Sequence, residues 1–220
     1  MNVVFVIFDG LTALDAVGPY EVLARLPGAR VTFAGPRRGV VRTDDGALGL
    51  SADVALDEVK ACDLLVIPGG FGTRALQRDE ALLAALRALD ATTRITASVC
   101  TGALVLAAAG LLRGRRATTH WAWRDRLAEL GAVPVAERVV RDGKYASSAG
   151  VSAGIDLALS LAVELAGTQA ASAIQLGIEY DPRPPLDAGD AARAPAALRE
   201  AVLARARAKE ARWADRDGTP

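Results

Sequence analysis

Ile95-Thr96-Ala97-Ser98-Val99-Cys100-Thr101-Gly102-Ala103-Leu104 runs from an apolar stretch through a cysteine directly into a helix-forming segment. Read as strand, turn and helix, it sets the Cys100 thiol at the carboxyl end of a buried strand, as in a nucleophile elbow. Immediately upstream, Leu82, Leu83, Leu86 and Leu89 recur at i, i+3, i+4, i+7 spacing, which predicts a crossover helix over 79–89. Before that helix another apolar run, 63–67, ends in Pro68-Gly69-Gly70-Phe71-Gly72. Strand, helix and strand in this order form a right-handed βαβ unit whose strand carboxyl ends gather on one edge. Further strands are expected at 3–8 and 31–34. Short continuous apolar runs separated by helical segments describe a mostly parallel sheet with helices on both faces, a three-layer α-β-α sandwich of flavodoxin-like type.

Downstream, Val139 and Val140 lead through Arg141-Asp142-Gly143 to Tyr145, the pattern of a hairpin with an Asp-Gly turn. Residues 150–165 read as a buried helix and 168–180 as a less regular one. After Tyr180 the composition shifts to Pro, Ala, Asp and Arg. This divides the chain into an α/β domain over 1–180 and a C-terminal arm over 181–220, too short for a second domain, with a helix near 195–213.

The 220 residues are 51% hydrophobic and 24% charged, a globular composition rather than a disordered one. Lys plus Arg and Asp plus Glu number 26 each, so no net field draws the chain to nucleic acid or anionic lipid. No nucleic-acid partner and no membrane association are expected. No apolar run reaches the length of a membrane span, and no signal-peptide pattern precedes residue 3. Two cysteines, Cys62 and Cys100, cannot make a disulfide framework, and a reducing cytoplasm fits them.

The candidate chemistry lies on the strand-end edge. At Cys100 the positive end of the following helix is expected to favour thiolate, although a buried inert cysteine fits the same position. Cys62 begins its strand at the far edge and reads as structural. Gly69 and Gly70 let backbone amides approach a developing negative charge, half of an oxyanion hole, or simply form a turn. Asp15 follows the first strand, shortly before a helix that Pro19 is expected to open; it is either a helix cap or an acid/base group. Asp9, next to Gly10, reads as a turn residue. The single histidine, His120, either orients the thiol or is structural. Without a His/Cys/carboxylate cluster, no metal site is expected.

These pieces resemble the ThiJ/PfpI superfamily, the class I glutamine amidotransferase-like fold, and within it the isonitrile (isocyanide) hydratase members. The resemblance rests on Leu14-Asp15 with Gly18-Pro19, Ile67-Pro68-Gly69-Gly70, Ser98-Val99-Cys100-Thr101-Gly102, Thr118-Thr119-His120-Trp121, Glu137 to Gly143 and Ala153-Gly154-Ile155-Asp156. It continues through Glu179-Tyr180 and Pro184-Pro185. It implies a nucleophilic Cys100, an acidic partner at Asp15, a Thr101 that interacts with the site, a small-molecule substrate, no cofactor and a homodimer. Peptidase-like members often carry histidine directly after the nucleophile, where this chain has Thr101. The implied reaction is hydration of an isonitrile through a thioimidate on Cys100. Glyoxalase-type hydration of a dicarbonyl, or a non-catalytic thiol sensor, would use the same cysteine and carboxylate.

Overall fold

The computed structural model describes residues 1–216; the last four residues of the arm, 217–220, lie outside the described residues. Strands β1 (Asn2–Val6) and β2 (Arg30–Gly35), joined by helix α1 (Ala13–Leu23), pair in parallel. An exposed antiparallel hairpin, β3 (Gly39–Arg42) and β4 (Gly49–Ala52), follows and is missed by the apolar pattern. Its strands are only four residues long and mostly solvated, so few apolar positions mark them.

Strand β5 (Val54–Ala55) leads to β6 (Leu64–Ile67), short helix α2 (Thr73–Leu76), crossover helix α3 (Glu80–Asp90) and β7 (Ile95–Val99). Asp79 caps α3 by accepting the Leu82 amide at 3.0 Å, and the leucine stripe is buried as its spacing requires. Helix α4 (Gly102–Ala108) leaves the end of β7. The pair β8 (Arg116–Ala117) and β9 (Val133–Pro134), with α5 (Asp125–Glu129) between them, precedes the hairpin β10 (Val139–Asp142) and β11 (Tyr145–Ser148). Asp142 pairs with Tyr145, so the two-residue loop is Gly143-Lys144, with Gly143 at φ 57°.

The central sheet has seven strands in the order β10-β11-β7-β6-β1-β2-β5, parallel throughout except for the edge pair β10-β11. β6 and β7 are buried at every position because helices flank the sheet, the three-layer arrangement expected from the continuous apolar runs. Phe5, Ile7, Phe8, Leu65, Ile67, Leu104 and Leu106 are fully enclosed, each contributing about 1.5–3 kcal/mol of burial.

One helical expectation changes. Pro19 does not open α1 but lies inside it, at its seventh residue. There it forgoes a backbone hydrogen bond and packs its ring against Gly154 of α6 (Ala153–Gly177), where a Cβ would stand 3.0 Å from Pro19 Cγ. Residues 153–177, labelled α6, are two helical pieces that meet at Gly167 (φ 81°, ψ 162°), in keeping with the two helices expected over 150–165 and 168–180. By length and composition alone α6 is apolar enough to cross a membrane. The break at Gly167 leaves two pieces, each shorter than the roughly 20 residues that a span requires. Beyond a proline-rich loop, helix α7 (Ala196–Arg216) returns to the edge formed by the carboxyl ends of the strands.

Candidate active site

The site grows from the turn after β7. Cys100 is one of only two non-glycine residues with positive φ (54°) among the described residues, and both of its backbone groups are held. Its N–H donates to the Ser148 and Ala149 carbonyls at 3.2 Å, and its carbonyl accepts the Thr119 hydroxyl at 2.7 Å. Such a conformation costs about 1–3 kcal/mol and persists because β11 and the Thr118-Thr119 segment hold it. The following residues must pass close to β6. A Cβ on Gly102 would stand 2.0 Å from the Ile67 carbonyl oxygen, so only glycine fits there.

The turn after β6 closes around the same point. Gly70, at φ 134°, has no room for a side chain, since a Cβ would meet the Gly10 carbonyl at 2.3 Å. The two glycine amides expected to serve an oxyanion are both occupied within the protein. Gly69 N–H donates to Asp15 Oδ2 at 2.9 Å, and Gly70 N–H donates to Thr101 Oγ1 at 2.9 Å. The Thr101 hydroxyl in turn donates to the Gly70 carbonyl at 3.1 Å. Gly69 and Gly70 are therefore positioning groups for Asp15 and Thr101, and their amides are not free oxyanion donors.

Asp15 lies in the first turn of α1 but does not cap it. The helix begins at Ala13 with Thr12 before it, and the Asp15 carboxyl turns inward, 0% exposed. Thr12 N–H donates to the Gly69 carbonyl at 2.9 Å, which pins the start of α1 to the glycine turn. Asp15 Oδ1 is buried with no hydrogen-bond partner of ordinary geometry; the Cys100 side chain and, through its charge, Asp44 are the ionisable groups that interact with this carboxyl. Burial pushes the Asp15 pKa up to about 8, against the opposing hydrogen bond from Gly69.

The expectation of a thiolate-favouring Cys100 is overturned. Burial holds its pKa well above the usual thiol value, and the neighbouring Asp15 carboxylate raises it further, outweighing the hydrogen bonds from Thr101. Near neutral pH the pair thus carries both protons.

Cys100 and Thr101 open onto a cavity of about 240 Å³. Phe71, Leu104, Trp123 and Val151 help make its wall surface mainly apolar, and Thr12, Gln77 and the Arg74 and Arg126 side chains also line it. Asp15 is not among the lining residues; it sits behind the thiol. His120 lines the cavity but is turned to another task. Its Nδ1 accepts the Ala122 amide at 3.3 Å, its ring lies 5.6 Å from that of Trp121, and burial lowers its pKa. Gly150 leaves room for this imidazole, since a Cβ there would overlap His120 Cδ2 at 2.2 Å. The structure gives His120 no bond to the thiol. Among the described residues, no group of three His, Cys, Asp or Glu side chains could hold a metal ion.

Two parts of the site escape the sequence reading. Asp44, from the β3-β4 turn, reaches the cavity and accepts the Thr12 hydroxyl at 3.2 Å. Helix α7 supplies Val202, Ala206 and Glu210 to the cavity. The i, i+4, i+8 spacing of these three was the available signal, and it is weak in an Ala/Arg-rich segment.

The DJ-1/PfpI family model matches residues 1–164. The isonitrile hydratase of Pseudomonas putida is 44% identical over 206 residues, covering 94% of this chain and 90% of that protein. A deglycase of Pyrococcus abyssi is 31% identical over 150 residues, 67% of this chain and 89% of that one. Among solved structures, a ThiJ/PfpI family protein from Pseudomonas syringae superposes with TM-score 0.91 at 37% identity, covering 95% of this chain and 87% of that one. Drosophila melanogaster DJ-1beta superposes with TM-score 0.73 at 25% identity, covering 81% of this chain and 97% of that one. By its sequence over three-quarters of its length and by its fold, this chain belongs to the DJ-1/PfpI family.

Proposed function

We propose that this protein hydrates isonitriles to N-substituted formamides, using Cys100 as nucleophile and Asp15 as the acid and base behind it. The observation that carries this reading is a fully buried carboxyl, one oxygen of which has no partner, set behind a thiol that lines a mainly apolar cavity. The 44% identity to the Pseudomonas putida isonitrile hydratase over most of both chains supports the same reaction.

The terminal carbon of an isonitrile accepts a nucleophile and then needs a proton. Cys100 Sγ bonds to that carbon as Asp15, protonated at the start, gives its proton to the same carbon, and the carboxylate left behind takes the thiol proton on Oδ1, the oxygen without a partner. The carboxyl is thereby protonated again. The sum is addition of S–H across one carbon, giving a thioimidate with no change in total charge. Asp15 next gives its proton to the nitrogen and, as carboxylate, accepts a proton from water as the oxygen adds to that carbon. Collapse breaks the C–S bond, releases the formamide and returns the proton to sulfur. Thr101 and Gly69 act by holding Asp15 and the cysteine turn in register.

The mainly apolar wall surface favours a hydrocarbon-substituted isonitrile. The test is formamide production from a simple alkyl or aryl isonitrile by the purified protein, with methylglyoxal assayed in parallel. Turnover of isonitrile that disappears in Cys100→Ala supports the reading; turnover that persists in Cys100→Ala, or is confined to methylglyoxal, overturns it. A homodimer is also proposed, because Val163 and Leu176 leave apolar surface exposed along α6; sedimentation at monomer mass would refute it.

A further inference from the structure

Helix α7 lies outside the part of the chain that matches the family model, which ends at residue 164, yet it forms one wall of the catalytic cavity. Val202, Ala206 and Glu210 are four residues apart and so share a helix face. That face is fixed at its C-terminal end by a desolvated ionic seam. Glu210, 8% exposed, pairs with Arg74 from α2 and with Arg126 from the start of α5, the latter at 3.1 Å, and so ties two opposite walls together. Lys209 reaches Asp44 at 3.3 Å and Asp45 at 2.9 Å and lies 5.1 Å from the centre of the Phe71 ring. Trp213 continues the contact, its ring packed against Gly10 and its indole N–H donating to the Asp44 carbonyl at 3.4 Å.

The cavity is therefore divided in origin. Cys100, Thr101 and Gly70 come from the region shared with the family, whereas Val202 and Ala206 come from the arm. A thiol that attacks a terminal carbon needs only that carbon beside it; the substituent on nitrogen extends away from the sulfur, toward whatever closes the cavity. From this we infer that α7 is the specificity element of the enzyme, with Val202 and Ala206 setting the size of the N-substituent that the isonitrile can carry. The inference rests on the isonitrile reading for its substrate, but the roof it describes is independent of that chemistry. The match to the Pseudomonas putida isonitrile hydratase, over 94% of the chain, necessarily enters this helix.

The test compares the parent with Ala206→Leu, whose isobutyl group projects into the cavity, and Val202→Ala, which enlarges it. Two readouts are taken. The first is kcat/KM for a methyl and a cyclohexyl isonitrile. The second is the rate of Cys100 alkylation, followed by intact mass, with small iodoacetamide and with bulky N-phenylmaleimide. Ala206→Leu is expected to cut kcat/KM for the cyclohexyl compound roughly tenfold or more while changing the methyl compound less than about threefold, a loss within the range that pocket shape supplies. It is expected to slow the maleimide relative to iodoacetamide, and Val202→Ala is expected to shift both ratios the opposite way. If the parent turns over no isonitrile but the alkylation ratios shift, the roof stands and the isonitrile reading falls. Alkylation ratios equal in all three proteins would overturn the inference whatever the substrate, as would equal losses for both isonitriles.

Discussion

Each end of the sheet holds a buried aspartate and a buried cysteine, and the two ends have opposite chemistry. At the amino ends of the strands, Asp90 is 6% exposed and fully partnered. Its Oδ1 accepts the Thr96 hydroxyl at 2.7 Å, and its Oδ2 accepts the Tyr145 hydroxyl at 3.0 Å and pairs with Lys144 Nζ at 2.9 Å. Cys62 nearby has its thiol pushed up to about 11 by burial, then by Asp63 and Asp90. At the carboxyl ends, Asp15 has one backbone amide, no cation and an oxygen left unpaired against Cys100. A carboxyl given a cation and two hydroxyls is an anchor of the fold. A carboxyl denied them keeps its proton, and a group that holds a proton into the neutral range is equipped to transfer it.

The sharpest way to break this contrast is to truncate the two cysteines. Cys100→Ala is expected to lose isonitrile turnover by at least about 10³-fold, whereas Cys62→Ala should cost about 1 kcal/mol of stability and leave turnover per folded molecule unchanged. Steady-state rates and denaturant midpoints on both variants decide it. The carboxylates come next. Asp15→Asn should reduce kcat by about 10²–10⁴-fold with the fold intact, while Asp90→Asn, which takes the carboxylate from Lys144 and leaves it the Asp90 carbonyl and the Thr93 hydroxyl, should destabilise by about 2 kcal/mol and spare kcat. Equal catalytic losses in the two variants would erase the distinction between the ends.

A smaller effect is expected at Thr101. Thr101→Val strands the Gly70 amide, so a loss of about 1–3 kcal/mol in stability and roughly tenfold in kcat/KM is anticipated, with Thr101→Ser restoring most of both. The pH dependence sharpens the comparison further. The folded Asp15 value of about 8 lies above its ordinary 3.8, so the folded chain keeps a proton that the unfolded chain gives up. Stability should therefore fall as pH rises between about 4 and 8 and level off beyond. Asp15→Asn removes that slope, so its melting-temperature gain over the parent should grow across the same window. A constant difference would mean that Asp15 is charged in the folded state.

The chemistry-bearing edge was legible because each strand that builds it is a continuous apolar run ending in an unusual turn. Cys100 stood out for that reason, and the structure adds its positive φ. The purpose of the glycine turn was not legible: Gly69 and Gly70 do approach their neighbours closely, but the neighbours are Asp15 and Thr101, which are distant in sequence. Asp15 itself has the position of a helix-capping residue, and only the tertiary burial of its side chain separates the two roles. Thiol acidity was misread because the helix end is a local feature, whereas desolvation is set by the whole fold. The arm's part in the cavity depends on contacts spanning more than a hundred residues, such as Glu210 to Arg74, for which an Ala/Arg-rich helix carries no periodic mark.

The central claim is that Asp15 holds a proton at neutral pH. Infrared difference spectra of the parent minus Asp15→Asn, titrated from about pH 6 to about pH 10, read that carboxyl directly. A protonated-carboxyl stretch present at about pH 6 and lost with a midpoint near 8 is the expected result; a carboxylate band already complete at about pH 6 would contradict the account.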